Sequence, residues 1–329
     1  MSGPGIVTLE SLRLQCQERA DQLNSTFLST SEWNRNIMGS YKELYDLLIA
    51  AYGTDYYVNT PVTFQTDGTS MLYALPDGTT TFTNGLTGAT ITPPAFYKLL
   101  GIDLQLAPGN IGSYVTIRPF NFSDRNRYAV PNFQSFYGVT NLRYRLNGNN
   151  LWLTPIPKAS QVIQIWYIPR PTDIQAEVIC GTTSSSTTVT CTDTSNLSTG
   201  MYVQAPGNLS LFASGTTIST ITTNTSFTVS SAATATTSNT LIRAWSESTT
   251  IDGVSGWEEY IIIDAAMKAM GKEESDISLL AAQKLMMVKR LQDMAANRDA
   301  GNGSTVADVQ WSDYWWPNAS GSGSGWGSY

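Results

Sequence analysis

Apolar residues recur at helical spacing at the two ends of this 329-residue chain and give way to short alternating stretches between them. The helices of such a chain can come together from both ends into one layer. Near the N-terminus Leu9, Leu12, Cys16, Leu23 and Phe27 fall at three-, four- and seven-residue intervals, predicting a helix over residues 9–28. Ser29 and Glu32 then have capping-box spacing, the hydroxyl serving the first-turn amides and the carboxylate reaching back, so a second helix starts near Thr30. Trp33, Ile37, Tyr41, Leu44, Leu48 and Tyr52 carry it to Gly53, which suits a left-handed C-cap. The short turn between the two helices requires antiparallel packing.

At the other end Ser255 opens a second box with Glu258, and Trp257, Tyr260, Ile261, Asp264, Ala265 and Lys268 continue the period to about Gly271. Glu273, Glu274 and Asp276 place negative charge where a further helix starts. In that helix Ile277, Leu280, Leu285, Val288, Leu291 and Ala295 are expected inward, and Lys284, Lys289, Arg290 and Arg298 outward. The expected class is α+β, with antiparallel helical hairpins over residues 1–55 and 245–300 forming a four-helix layer.

Residues 56–176 read as a β-rich middle, with strands at 62–65, 71–75, 96–106 and 114–119 and a hairpin at 142–155 turning on Asn147-Gly148. Residues 162–168 read as a further, well-buried strand. Over residues 177–244 the composition shifts to Ser and Thr, and between Gly181 and Ile242 only Asp193 is charged. Its β-branched runs, separated by Gly and Asn turns, predict an inserted small β-sandwich or barrel. Residues 301–329 mix Gly, Ser and Asn with Trp311, Tyr314, Trp315, Trp316, Trp326 and Tyr329. Aromatics in that density are costly to leave in water, so this tail is expected to dock on a partner.

The chain contains no histidine, which removes imidazole general bases, Ser-His-Asp and Cys-His nucleophiles and most catalytic zinc sites. No phosphate-cradling G-x-x-x-x-G-K-S/T is present: Gly271-Lys272 lacks the upstream glycine and is followed by Glu273. Two carboxylates alone could still cleave a glycoside, and Asp252, Glu258, Glu259 and Asp264 are the nearest cluster. Helix capping and solvation account for them more simply. No catalytic residue, metal or cofactor is expected.

Cys16, Cys180 and Cys191 are odd in number and not spaced as metal ligands. Cys16 reads as a buried thiol; Cys180 and Cys191 flank a hairpin, with free thiols favoured over a disulfide in a reducing compartment. The net charge of −7 gives no broad basic footprint for gripping nucleic acid. There is no export signal and no apolar run long enough to span a membrane, so synthesis in a cytoplasm is expected. Arg118, Arg125, Arg127, Arg143 and Arg145 nevertheless gather in the middle segment among Phe120, Phe122, Tyr128 and Tyr144. Such interleaving can stack single-stranded bases, but in an acidic chain subunit contacts are the preferred reading.

Several strings, taken in order, carry a resemblance. They are Glu32-Trp33-Asn34, Ser40 through Leu48, Tyr52-Gly53, Tyr73-x-Leu75-Pro76, Phe96 through Asp103, Arg118-Pro119-Phe120 and Asp124 through Arg127. Leu151 through Pro155, Trp166 through Pro169, Asp252 through Tyr260, Asp264-Ala265-Ala266, Lys272 through Ser275 and Asn297 through Ala300 follow. The series resembles the head-to-tail adaptor (connector) proteins of tailed bacteriophages. Two departures stand out: residues 77–94 separate the Leu-Pro from the Phe-Tyr, and the unit over 181–242 is extra.

The resemblance implies a structural virion protein, made in the host cytoplasm, that assembles as a dodecameric ring. It implies docking to the portal protein by the helical layer and tail, a β part facing the next tail protein (nozzle or tube), and a channel through which double-stranded DNA passes without sequence-specific contact. Alternatives are another virion tail component, such as a tube or fibre-attachment protein, and a peptidoglycan-degrading glycosidase.

Overall fold

The computed structural model describes residues 7–53, 56–57, 61–85, 87–106, 113–128, 142–251 and 256–296. The fold is α+β, with five α-helices among the described residues and sheets that are almost wholly antiparallel.

Helix α1 (Leu9–Arg19) is capped by Thr8, whose hydroxyl accepts from the Ser11 amide. It stops well short of the predicted residue 28. Asp21 takes a left-handed conformation at φ 54°, the Gln22 amide donates to the Gln17 carbonyl at 2.8 Å and the Asp21 amide to the Glu18 carbonyl at 3.2 Å. That is a Schellman closure, which outweighs the apolar period through Leu23 and Phe27. Helix α2 (Thr30–Tyr52) begins with the full Ser29/Glu32 capping box and ends at Gly53 with φ 64°.

The middle segment holds β1 (Val62–Gln65), β2 (Leu72–Ala74), β3 (Phe82–Thr83), β4 (Thr90–Ile91), β5 (Phe96–Gln105), β6 (Tyr114–Thr116) and β7 (Arg118–Pro119). A 3-10 turn at Phe122–Asp124 runs into α3 (Arg125–Tyr128), followed by β8 (Arg143–Asn147), β9 (Asn150–Thr154) and β10 (Val162–Pro169). Two four-stranded sheets, in the orders β1-β10-β5-β6 and β2-β9-β8-β7, share one core that includes Val62, Ile102, Leu104, Leu151, Leu153, Ile163, Ile165 and Tyr167. The β8–β9 turn lies one residue later than predicted. Asn147 pairs with Asn150, and Gly148, at φ 59°, is the residue that needs the left-handed region. Residues 77–94 contribute the small β3–β4 pair.

β11 (Gln175–Thr182), β12 (Thr188–Cys191), β13 (Tyr202–Gln204), β14 (Ile218–Thr222), β15 (Ser226–Val229) and β16 (Thr237–Trp245) form a six-stranded sheet in the order β13-β16-β11-β12-β15-β14. Its two edges meet. Tyr202 bridges Thr217, the Ile218 amide donates to the Met201 carbonyl at 2.8 Å and the Val203 amide to the Thr216 carbonyl at 3.0 Å. The sheet thus closes into a barrel around Val189, Leu211, Phe227, Ile242 and Ala244. Chain entry and exit are neighbours, since Gln175 pairs with Trp245, as an insertion requires. Cys180 lies directly opposite Cys191, and all three cysteines are free and buried.

Helix α4 (Glu258–Lys272) has Trp257 at its N-cap with no side-chain cap. Ser255, expected to open the box, lies outside the described residues; the Glu258 carboxylate accepts from the Gly256 amide at 2.8 Å. Helix α5 (Ser278–Ala296) follows. α4 packs on α1 and α2, and α5 on α2 and α4, around a core containing Leu9, Leu12, Cys16, Trp33, Ile37, Tyr41, Leu44, Tyr260, Ile261 and Leu291. The chain ends are tied together directly, because the Leu9 amide donates to the Thr249 carbonyl at 2.8 Å.

Two expectations for α5 are corrected. Leu285 is 71% exposed, and Lys284 turns inward with 20% of its side chain exposed. The buried face follows positions 280, 284, 287–288 and 291, so helical geometry put a lysine in the stripe and a leucine outside it. Arg298 lies outside the described residues.

Candidate functional site

The five arginines singled out above converge on one edge of the middle segment. β7 runs parallel to β8 with Arg118 opposite Arg143, and Arg145, two residues on, shares the face of Arg143. After Pro119 the chain folds over: Phe120 is buried, its amide donating to the Tyr144 carbonyl at 3.0 Å, and α3 then presents Arg125 and Arg127. Trp152, opposite Arg145 on β9, receives Phe120 and Phe122 edge-on at centroid distances of 5.5 and 6.2 Å.

Three guanidinium groups lie over these rings. Arg125 is 4.5 Å and Arg145 5.4 Å from the Phe122 centroid, and Arg143 is 5.5 Å from that of Tyr128. Each such contact contributes about 0.5–1 kcal/mol at an exposed site. The arrangement is short of negative charge: none of the five forms an ion pair with a carboxylate among the described residues, and Arg118 beside Arg143 is a like-charge pair on neighbouring strands, which opposes folding. In a chain of net charge −7 such a platform can receive a flat anion, because a guanidinium already held flat on a ring loses little freedom when a carboxylate or phosphate docks bidentately.

The acids weighed for catalysis have other work. Asp264 is fully buried: its Oδ2 lies 2.5 Å from Lys268 Nζ and its Oδ1 2.8 Å from Lys284 Nζ. Lys284 Nζ also contacts Glu43 Oε1 at 2.7 Å, and the Tyr260 hydroxyl donates to that same oxygen at 2.9 Å. Burial pushes the Asp264 carboxyl up, but hydrogen bonds from Lys268, Lys284 and Ser40 outweigh it and hold the group below the usual carboxylate range. Burial works against the Lys284 ammonium too, and hydrogen bonds to Asp264 and Glu43 prevail and raise it. Burial raises the Tyr260 hydroxyl, with the Glu43 bond adding to it. Glu259 pairs with Arg19 at 3.1 Å, Glu258 holds the Gly256 amide, and Asp252 lies outside the described residues.

This buried cluster was missed from sequence. The available signal was Lys284 standing four residues from Leu280 and seven from Leu291 in the inward stripe.

A cavity of about 630 Å³ beside β3 has Tyr73 as the only ionisable side chain of its lining, and that hydroxyl donates to Asp67 at 3.0 Å. A cleft of about 320 Å³ between α1 and the barrel is lined by Glu10, Arg13 and Glu247, the last two paired at 2.8 Å. Among the described residues no three His, Cys, Asp or Glu side chains are grouped to hold a metal, and no helix is long and apolar enough to cross a membrane. The tail aromatics Trp311, Tyr314, Trp315, Trp316, Trp326 and Tyr329 lie outside the described residues.

A scan against protein-family models gives no match, and a search of curated proteins gives none either.

Proposed function

We propose that this chain is a structural head-to-tail adaptor of a tailed-phage virion, a ring subunit that joins the portal to the tail around the DNA channel. In this reading the hairpins from both chain ends make one four-helix layer that docks, with the aromatic tail, on the portal. The middle segment meets neighbouring copies and the next tail protein, the barrel is an elaboration at the side, and the protein works by contact rather than by catalysis.

The observation that carries the proposal is the arginine–aromatic platform. Five arginines without a carboxylate partner among the described residues, in a chain of net charge −7, find their complement most readily on an acidic protein surface, and a second copy of this chain supplies one. The engagement of Asp264, Glu258 and Glu259 in packing and capping also favours a structural role over glycoside cleavage.

The test is electron microscopy of the purified chain with and without its portal. Ring-shaped class averages that stack on the portal are expected. A chain that stays monomeric at micromolar concentration and ignores the portal overturns the reading, and a ring that binds only tail-tube protein favours another tail component.

A further inference from the structure

Helix α5 is 19 residues long, yet only Leu280 and Leu291 are buried. Its outer face is apolar where a surface helix is ordinarily polar: Leu279, Leu285, Met286 and Met294 are 69%, 71%, 72% and 53% exposed. Lys289, Arg290 and Asp293 lie among these side chains, and neither basic residue has an ion pair among the described residues. Helix α1 carries the complementary pattern. Leu14, 44% exposed, stands between the exposed Glu10 and Glu18; Asp21 and the half-exposed Leu23 and Phe27 follow in the turn, with the Lys272 ammonium 5.3 Å from the Phe27 ring. These acids likewise have no ion-pair partner among the described residues.

We infer that α5 of one copy packs on α1 and its following turn in a second copy, with Leu285 and Met286 against Leu14, Leu23 and Phe27, and Lys289 facing Glu18. The inference rests on the ring reading above and names a contact that builds the ring. The occupant is a second copy because the same chain offers an apolar patch of net positive charge, with Lys289 and Arg290 against Asp293, and another beside the acids Glu10, Glu18 and Asp21. Two different patches meeting head to tail form a heterologous contact, which propagates from copy to copy until the rotation closes. Methionine suits such a seam, since its flexible thioether fits an irregular surface.

The test uses the full chain carrying both Leu14→Cys and Leu285→Cys, oxidised with diamide and run on a non-reducing gel. A ladder of covalent multimers is expected from the double variant and none beyond the dimer from either single one. Rings that persist in the microscope without a ladder overturn this contact while leaving the ring reading intact; a wild-type chain that never forms rings overturns both. Efficient dimer cross-linking of Leu285→Cys alone overturns it in favour of an α5–α5 pair. A Leu285→Cys thiol that becomes reactive in the isolated subunit only after residues 311–329 are deleted overturns it in favour of the tail as occupant. As an independent check, Leu285→Glu with Met286→Glu is expected to abolish ring formation with the far-ultraviolet spectrum unchanged, and normal rings from that variant count against the contact.

Discussion

Lys284 Nζ on α5 lies 2.8 Å from Oδ1 of Asp264 on α4, whose side chain is wholly removed from solvent. The same ammonium reaches Glu43 on α2, so one lysine ties three helices together. Removing one partner of a buried pair is far costlier than replacing the whole pair with apolar groups, because a lone charge is left without water.

Asp264→Ala is therefore expected to destabilise the fold by about 1–3 kcal/mol, since Lys268 and Lys284 lose their buried acceptor but both still face Glu43. Lys284→Met is expected to cost less, since Asp264 keeps Lys268 at 2.5 Å. Urea denaturation of both variants checks the order, and a smaller loss for Asp264→Ala would mean that water enters the cluster.

The same pair sets a pH dependence. The Asp264 carboxyl is below its ordinary value in the folded state, so fewer protons bind to the folded than to the unfolded chain through the acid range. Its contribution is present in full above the unfolded value of about 3.9 and is lost as pH falls through the lower folded one. Lys284, held above its ordinary value, contributes below about pH 10.4 and loses this as pH rises through the folded value. Denaturation midpoints at pH 7 and pH 3 are expected to differ less for Asp264→Asn than for the wild type.

Charge reversal of the platform by Arg143→Glu with Arg145→Glu is expected to cost less than the about 1–2 kcal/mol of the lost ring contacts, because it also removes the Arg118–Arg143 repulsion. Assembly should suffer far more. Light scattering across a concentration series is expected to show at least a tenfold rise in the concentration needed for rings, and a ring that ignores the reversal would remove the platform from the interface.

Deleting Trp311 through Tyr329 is expected to leave the thermal transition of the subunit unchanged and to abolish capture of the portal in a pull-down. Undiminished capture would mean that the helical layer suffices.

All three thiols are buried, and burial, with the Glu259 charge adding to it, pushes the Cys16 thiol up to about 12. Titration with a disulfide reagent at pH 8 is expected to find them unreactive in the native protein and all three free after denaturation, since only the thiolate attacks. Two missing thiols in the denatured sample would reveal a Cys180–Cys191 bond.

What sequence alone determined was local. The bounds of α2 were legible because Ser29, Glu32 and Gly53 act within one turn, through a side-chain hydrogen bond and a backbone angle. Strand positions were legible for a similar reason, since alternation and turn residues speak to near neighbours. Tertiary structure decided the rest. It closed the barrel through Tyr202 and Thr217, stacked Arg143 and Arg145 on rings from another segment, and turned Lys284 inward toward Glu43, 241 residues away. The physical reason is that a charge enters a core only when distant partners offset its lost hydration, and a period of three or four residues carries no record of those partners.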